Sequence, residues 1–340
     1  MDFSVIIPTY NRARQLLLTL AALNCQKNPK ASYEVIVVDD KSTDDTQKTV
    51  KTFEAKFPLT LTRTERNSGR ASARNRGISL AKGRYLIFCD ADFIVTPKFI
   101  QIVRGYHIRH PKAVISGIPV SWNTAYTHYY PNFTHGQRVE MYNILQPLGL
   151  WKDSFWGEEK RIVPVLKQED ICNNYKKIKG LLAPWSFKVD TSIQKPDVAP
   201  WLLFVTRCVS VKKQYVECVG GFDEQFTKYG MEDWELGYRL HRIGLSFVSI
   251  DQTIGYHQEH PRERAEPEGI ASNLHMLYKK FGFSDPELNL CAISPPWINI
   301  AEYVEKLRKL KKYRADNRHE AKRVKEAWKR KAIDFYLRRS

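Results

Sequence analysis

Short apolar runs alternate with amphipathic stretches along the first hundred residues. The candidate strands are rich in Val, Ile, Leu and aromatic side chains, and they cover residues 4–8, 34–38, 59–62 and 85–89. The stretch after the first run places Leu16, Leu20 and Leu23 at helical spacing. Strands that alternate with helices predict an α/β fold with a doubly wound, mainly parallel sheet.

Polar residues follow these runs where each strand should end. Thr9 follows the first run, Asp40 the second, and Asp90 and Asp92 the fourth, while Arg74 lies in the helical stretch before the fourth. In such a sheet, ligands bind at the carboxyl ends of the strands. We therefore expect these five residues to gather in one crevice.

Asp90 and Asp92 come directly after the buried run 85–89. Carboxylates at that position are costly unless a cation or polar ligand compensates them. Hard oxygen ligands suit Mg2+ or Mn2+ bound to phosphates. Paired acids are also common in turns and helix caps, so the pair alone leaves both interpretations open.

Four motifs in series carry a resemblance to a known family. They are Val-Ile-Ile-Pro-Thr-Tyr-Asn-Arg at 5–12, Val-Val-Asp-Asp-Lys-Ser-Thr-Asp at 37–44, Gly-Arg-Ala-Ser-Ala-Arg-Asn-Arg-Gly at 69–77 and Asp-Ala-Asp at 90–92. In this order and spacing, the chain resembles the family 2 glycosyltransferases, whose nucleotide-sugar domain has the GT-A fold.

The resemblance implies roles around a nucleotide sugar. Thr9 and Asp40 would contact the base, with Asp40 accepting from the imide N3–H of uracil. Asp90 would lie by the ribose, Asp92 would bind the metal that bridges the diphosphate, and Arg74 would lie near the diphosphate or ribose. A solvated helix residue is the alternative for Arg74. The residues expected to bind the donor are Pro8, Thr9, Tyr10, Arg12, Asp40, Asn67, Gly69, Arg74, Asp90 and Ala91.

A second cluster lies downstream, in the Gly-Gly-Phe-Asp run at 220–223 and the Glu232-Asp233 pair. Leu236 and Leu240 follow at helical spacing, so the two acids fall in or just before the first turn of a helix. The helix dipole favours acids there without any function. A capped helix with an acidic first turn is therefore the plain alternative.

This region resembles the Gly-Gly-Phe-Asp and Glu-Asp segments of family 2 enzymes, chondroitin-type polymerases and galactosyltransferases. There the second acid is the catalytic base, which implies that Asp233 deprotonates an acceptor in a displacement that inverts the anomeric carbon. The resemblance leaves Glu232 to hold the acceptor or donor sugar. The galactosyltransferase pattern has Trp where this chain has Tyr229, so the donor sugar stays open.

His257 and His260 follow the next apolar run. An i, i+3 pair is weak support for a metal by itself. Related enzymes place a His at about this distance, where it completes the coordination begun by Asp92. We favour His257, because it follows an apolar run and an aromatic residue, whereas His260 precedes a loop-like stretch. No Cys pair accompanies them, which disfavours zinc.

Composition predicts an enzyme in the cytoplasm. Met1-Asp2 leads straight into a core strand, so we expect no signal peptide, and no apolar run reaches 18 residues. The six Cys lack paired spacing, which predicts reduced thiols. We expect a nucleotide-sugar half at 1–118, an acceptor and catalytic half at 119–294 and a basic helical extension at 295–340.

The middle of the chain is rich in aromatic residues, which could line an acceptor groove or pack in the core. They include Trp122, Tyr126, Tyr129, Tyr130, Trp151, Trp156, Trp185 and Trp201. The segment from Pro196 to Pro200 could be a lid that orders on donor binding.

The tail predicts one long helical segment with dense charge. Residues 301–340 carry fifteen Lys and Arg against six Asp and Glu, so they hold +9 of the net +17. Basic clusters beside Trp328 and Phe335 suit peripheral contact with the anionic inner face of a membrane. Packing on the catalytic domain or on a second copy is the equal alternative, and a nucleic-acid role lacks a reading motif.

These patterns favour an inverting, metal-dependent glycosyltransferase that uses Mn2+ or Mg2+. It would move a hexose from a UDP-sugar to an acceptor hydroxyl in polysaccharide or lipid-linked glycan synthesis. A peptide or protein acceptor is the alternative among enzymes. A nucleotide-sugar-binding scaffold with little turnover is the competing class.

Overall fold

Strands and helices alternate through the first half of the chain, as the sequence predicts. A computed structural model describes residues 1–118, 123–183, 197–228, 230–261 and 267–338. The strands are β1 Phe3–Thr9, β2 Tyr33–Asp39, β3 Leu59–Arg63, β4 Tyr85–Cys89, β5 Phe93–Val95, β6 Ala113–Ser116, β7 Thr124–Ala125, β8 His128–Tyr129, β9 Val163–Pro164, β10 Cys208–Lys212, β11 Ser246–Ser249 and β12 Gly255–Gln258. The α-helices are α1 Ala13–Asn24, α2 Thr46–Lys51, α3 Arg70–Leu80, α4 Phe99–Arg109, α5 His135–Leu145, α6 Gln168–Asn173, α7 Lys176–Gly180, α8 Lys213–Cys218, α9 Glu232–Arg242, α10 Pro267–Phe281, α11 Pro286–Leu290, α12 Ile300–Asp316 and α13 Arg318–Leu337.

Seven strands form the central sheet in the order β3-β2-β1-β4-β10-β6-β11. The first four of these are mutually parallel, β10 is antiparallel to both of its neighbours, and β11 is parallel to β6. Val5, Ile6 and Ile7 of β1 are all inaccessible to solvent, because helices cover both faces of the sheet. The predicted doubly wound, mainly parallel α/β fold is confirmed, and only the antiparallel β10 was not expected.

A small second sheet joins β5, which follows the central strand β4, to the later strands β7 and β12. It has the order β5-β12-β7, and β12 runs antiparallel to β5 with His257 opposite Phe93. The backbone N–H of Gln258 also donates to the carbonyl oxygen of Asp92 at 2.8 Å. This pairing places β12 directly beside the Asp-Ala-Asp segment.

The C-terminal region forms two helices rather than the single long helix predicted. The break falls at Asn317, whose side chain caps α13 by accepting from the backbone N–H of Glu320. Helix α13 packs back on the body, where Tyr336 stacks on His275 with ring centroids 4.2 Å apart. Trp328 and Phe335 also pack against the core. The apolar face of the tail therefore packs on the catalytic domain, which was one of the alternatives for this segment.

Cys25 and Cys172 form a disulfide. The expectation that all six cysteines are reduced is therefore wrong for this pair. Cys25 follows the end of α1, and Cys172 lies in α6, which packs on α1. A separation of 147 residues conceals that contact in the sequence. The other four cysteines are free thiols.

Most of the described aromatic residues of the middle region pack in the core. Tyr126, Tyr129 and Trp201 are fully buried, and Tyr130 is 6% exposed. Trp151 and Trp156 pack against Tyr142 near the surface. Trp122, Trp185, Pro196 and Tyr229, which the sequence also singled out, lie outside the described residues.

Within the described parts of the chain, every helix is too short or too polar to cross a bilayer. The division of the chain at residues 118 and 294 stays a prediction.

Candidate active site

The loop after β1 is joined to the loop after β2 by Asn11. Its side-chain oxygen accepts from the backbone N–H of Thr43 at 2.7 Å, and its own N–H donates to Ser42 Oγ at 2.9 Å. Asn11 has φ +52°, a left-handed conformation that Asn tolerates better than most residues. In the sequence, Asn11 is named only as part of a motif, whereas the structure shows that it joins these two loops.

Asp40 holds the loop that leads into α3. Its Oδ1 accepts from Thr64 Oγ1 at 2.8 Å and from the backbone N–H of Ser68 at 2.9 Å, and its Oδ2 accepts from the backbone N–H of Gly69 at 2.8 Å. A carboxylate offers about four acceptor positions, so three bonds leave one free. Asp40 can therefore organise this loop and still accept one bond from a ligand.

The other residues that were predicted to bind the donor near its nucleotide base differ in how exposed they are. Thr9 is 4% exposed, and its Oγ1 lacks a hydrogen-bond partner among the described residues. Pro8 and Arg12 are half-buried, whereas Tyr10 is 43% exposed. Asn67 is exposed as well, and Gly69, the N-cap residue before α3, has φ +86°. Because its hydroxyl is buried and unpaired among the described residues, Thr9 is the strongest candidate of this group for a ligand contact.

Arg74 is buried at the centre of the site. It is 2% exposed, so the solvated-helix alternative is wrong. Its Nη1 donates to Glu232 Oε1 at 3.0 Å, and its Nη2 lies 3.7 Å from Asp90 Oδ1. Its Nε lacks a partner within the described chain. Arg74 thus links the nucleotide half of the site to the second acidic cluster.

Asn75 makes a second link between the same segments. Its Nδ2 donates to the carbonyl oxygen of Phe222 at 2.9 Å, and its Oδ1 accepts from the Phe222 N–H at 2.8 Å. Gly221 has φ +72°, and a Cβ there would lie 2.7 Å from Asn75 Oδ1. The Gly-Gly-Phe turn therefore needs glycine for this close approach. The sequence reading missed Asn75.

Glu232 and Asp233 occupy the first turn of α9, as predicted. Met231 directly before the helix has φ +72°, an uncommon conformation for a non-glycine residue. Glu232 is 4% exposed, and its Oε2 has no partner among the described residues. One oxygen therefore holds Arg74 while the other is available to a ligand.

Asp233 lines a cavity of about 440 Å³ together with Arg74, Asp90 and Glu232. Burial and the neighbouring Glu232 carboxylate together raise the pKa of Asp233 to about 7, against the opposing effect of Arg74. The backbone N–H of Trp234 donates to Asp233 Oδ1 at 2.8 Å. A carboxylate with a pKa near neutrality is suited to accept a proton from a bound substrate.

Asp92 faces two histidines: His257 in β12 and His260, which follows that strand. Its Oδ2 lies 3.6 Å from His257 Nε2 and 3.1 Å from His260 Nε2. Burial alone would raise the pKa of Asp92, but the two histidines outweigh it and hold that pKa well below its ordinary value. Asp92 Oδ1 is buried without a partner in the described structure.

These three groups fit a divalent cation. One atom from each of Asp92, His257 and His260 lies within 4.8 Å of the others. Carboxylate oxygens suit Mg2+ and Mn2+, imidazole nitrogens are common metal ligands, and the unpaired Asp92 Oδ1 can accept one more bond. The sequence favoured His257 over His260, whereas both rings reach Asp92. Asp90 and Ala91 do not belong to this group: Asp90 turns towards Arg74, and the Ala91 carbonyl accepts from Thr19 Oγ1.

Two contributors to the cavity escaped the sequence reading. Arg207 lies next to β10 and lines the cavity, and its Nε lacks a partner within the described residues. Trp297 lies in the segment after α11 and lines it too. No motif marks either residue, because both reach the site through the antiparallel strand and the C-terminal extension.

Comparison with known proteins gives two family matches. Residues 4–157 match the family described as "Glycosyl transferase family 2", and residues 200–262 match "N-terminal domain of galactosyltransferase". The chain is 31% identical over 295 residues to "Uncharacterized glycosyltransferase YfnE" of Bacillus subtilis, which covers 83% of this chain and 71% of that protein. It is 29% identical over 272 residues to "Chondroitin synthase" of Escherichia coli, covering 79% of this chain and 36% of that protein.

Solved structures show the fold. Staphylococcus aureus TarS 1–349, solved in complex with UDP-GlcNAc, has a TM-score of 0.55 at 18% identity and covers 97% of this chain and 92% of that one. A mannosyltransferase from Pyrobaculum calidifontis, solved with GDP-Man and Mn2+, has a TM-score of 0.53 at 16% identity and covers 99% and 87%. The expected GT-A fold is confirmed.

Proposed function

This chain belongs to glycosyl transferase family 2, and from that premise we propose that it transfers a hexose from a UDP-sugar to an acceptor hydroxyl with inversion. The observation that carries the proposal is the Arg74–Glu232 ion pair at 3.0 Å. It brings the candidate base Asp233 onto the same cavity as Asp90, beside the strand that leads to the Asp92 site. A donor held at the sheet edge would thus present its sugar to Asp233.

Asp233 acts as the general base. It removes the proton of the acceptor hydroxyl, whose oxygen forms a bond to the anomeric carbon as the bond from that carbon to the diphosphate oxygen breaks. The leaving UDP takes the bonding electrons. Positioned proton transfer of this kind contributes about 10²–10⁴-fold to a rate. Glu232 Oε2 accepts from a sugar hydroxyl and so orients the sugar.

Asp92, His257 and His260 would hold Mn2+ or Mg2+. The bound cation would stabilise the negative charge that develops on the leaving diphosphate. Arg74 adds a fixed positive charge to the same cavity without needing to reorganise. The Mn2+ in the mannosyltransferase structure is in keeping with this site.

Uridine is the nucleotide that we assign to the donor. Asp40 keeps one acceptor position free for the uracil N3–H, and the unpaired Thr9 hydroxyl lies at the same sheet edge. The TarS neighbour carries UDP-GlcNAc.

The acceptor class we propose is a growing glycan of polysaccharide synthesis, in line with the chondroitin synthase among the relatives. The cytoplasmic side of a membrane stays the predicted location. Lys329, Arg330 and Lys331 are exposed on α13, whereas Trp328 packs inward. Membrane contact through this helix would therefore be mainly electrostatic and would weaken at high salt.

The test is UDP release from a panel of UDP-sugars with and without Mn2+. We expect one sugar to be hydrolysed slowly by the wild type, and Asp92→Ala and Asp233→Asn to lose that activity. Asp316→Asn, an exposed acid at the end of α12, is the matched control and should behave as the wild type. Failure of every UDP-sugar to bind would refute the assignment of Asp40 and Asp92.

A further inference from the structure

One wall of the cavity comes from the C-terminal region. Pro296, Trp297, Ile298 and Ile300 follow α11 and line the cavity that contains Asp233. The sequence reading assigned residues 295–340 to an extension outside the catalytic unit. These four side chains give that extension a direct place at the proposed site.

The part of the wall beside the candidate catalytic base Asp233 is aromatic. Trp234 directly follows Asp233, and its ring centroid lies 6.5 Å from that of Trp297, with the planes tilted by 33°. Trp201 packs edge-on against Trp234 at 6.2 Å, and Trp234 Nε1 donates to the carbonyl oxygen of Leu202 at 3.2 Å. These contacts fix the Trp234 ring before any ligand binds.

Ile298 leaves an apolar side chain at the mouth of this cavity. It is 77% exposed, more than any other large hydrophobic residue among those the structure describes. Ile270 of α10 lines the same cavity. Scattered exposed apolar residues are ordinary, but Ile298 continues an apolar wall that starts beside the candidate base.

The composition of the wall favours an apolar ligand group. The charged groups of the cavity come from α3, the turn between β4 and β5, Arg207 before β10, and α9, whereas the C-terminal segment contributes Pro296, Trp297, Ile298 and Ile300, which are apolar or aromatic. Sugar hydroxyls placed against such a wall would lose hydration without gaining hydrogen bonds. An alkyl or aryl group would instead be stabilised by the apolar surface that it buries against the wall.

We propose that Trp297, Ile298 and Trp234 form an aglycone subsite, which binds an apolar group attached to the acceptor sugar while Asp233 faces the reacting hydroxyl. The inference rests on the proposed function and deepens it, since it specifies the acceptor glycan further: its reacting sugar is joined to an alkyl or aryl group. The acceptor sugar then lies between the subsite and the donor.

Three glycosides serve as probes: methyl, hexyl and phenyl β-D-glucoside, titrated calorimetrically into protein saturated with UDP and Mn2+. We expect hexyl and phenyl β-D-glucoside to bind at least about tenfold more tightly than the methyl glycoside, as expected for added apolar groups in a hydrophobic pocket. Equal affinity for the three, or binding of none, overturns the inference.

Variants assign the effect to the wall. Ile298→Ser should remove most of the preference without a folding cost, because the side chain is exposed. Trp297→Ala should remove it too, and Trp297→Phe should restore much of it. Trp156→Ala, an aromatic that is 41% exposed away from this cavity, is the control and should keep the full preference. A preference that survives both Ile298→Ser and Trp297→Ala contradicts the subsite.

The same titrations separate this inference from the proposed function. If UDP and Mn2+ do not bind the wild type, the glycosyltransferase proposal fails and the subsite fails with it. If they bind and the glycosides show no preference, only the aglycone subsite is wrong.

Discussion

Arg74 Nη1 donates to Glu232 Oε1 at 3.0 Å, joining two residues that are 158 positions apart. Both side chains are buried, with 2% and 5% of their surfaces exposed. One residue lies in the helix after β3 and the other begins the helix that carries Asp233. The pair therefore connects donor binding with the candidate base.

Arg74→Gln should destabilise the fold strongly, because it leaves Glu232 buried without its partner. Breaking a buried ion pair in this way costs about 3–5 kcal/mol. Urea unfolding measures the change. Lys306→Gln removes an exposed pair with Glu302 and should cost less than about 1 kcal/mol. Equal losses in the two variants would show that the buried pair has no special weight.

The rate of transfer should rise with pH through about 7, because Asp233 must be deprotonated to act as the base and burial raises its pKa to about 7. The pH dependence of kcat/KM measures this. A profile that is flat between pH 5.5 and 8.5 would contradict the assignment of Asp233.

Asp233 should also make the stability of the fold depend on pH, but here stability falls as pH rises. Since the folded-state pKa lies above the ordinary value of 3.8, Asp233 contributes stability that is fully present below about pH 3.8 and is lost as pH rises through about 7. Asp233→Asn lacks this titration. Its melting temperature relative to the wild type should therefore be higher at pH 8 than at pH 5.

His257→Ala and His260→Ala should each weaken Mn2+ binding, because both rings reach Asp92. We expect a loss of at least about tenfold for either variant, measured calorimetrically in the presence of UDP. His319→Ala, on the exposed side of α13, is the control. If His260→Ala binds Mn2+ as the wild type does, then His257 alone accompanies Asp92.

Cys172→Ser should lower the free energy of unfolding by about 2–5 kcal/mol, because the Cys25–Cys172 disulfide constrains the unfolded chain. Chemical unfolding without reductant measures the loss. Cys218→Ser replaces an exposed free thiol and should have little effect. Alkylation of both Cys25 and Cys172 in the native, unreduced protein would contradict the bond.

The strands could be predicted because their sequences report burial directly. Residues such as Val5–Ile7 are apolar on both faces of a covered sheet, and the acids that follow β2 and β4 mark the strand ends. The pairing of Asp92 with a histidine also followed, although only from the family resemblance. The order of the motifs along the chain was enough to predict that Asp92 and a histidine meet.

Long-range contacts could not be predicted from the same patterns. The sequence placed Arg74 near the nucleotide, but nothing in it pairs Arg74 with Glu232, which lies 158 positions away. The cysteine that bonds to Cys25 lies 147 positions away. Trp297 reaches the cavity only because the segment after α11 returns to α9. The raised pKa of Asp233 likewise depends on burial and on Glu232, which a sequence does not report.

The most direct test of the account compares donor binding with turnover in Asp233→Asn. Asparagine has almost the same shape but cannot accept the proton, so turnover of the UDP-sugar should fall by about 10²–10⁴-fold. The dissociation constant for UDP with Mn2+ should change by less than about threefold, because this side chain acts on the acceptor. Turnover that survives in Asp233→Asn, or UDP binding lost together with it, would contradict Asp233 as the base.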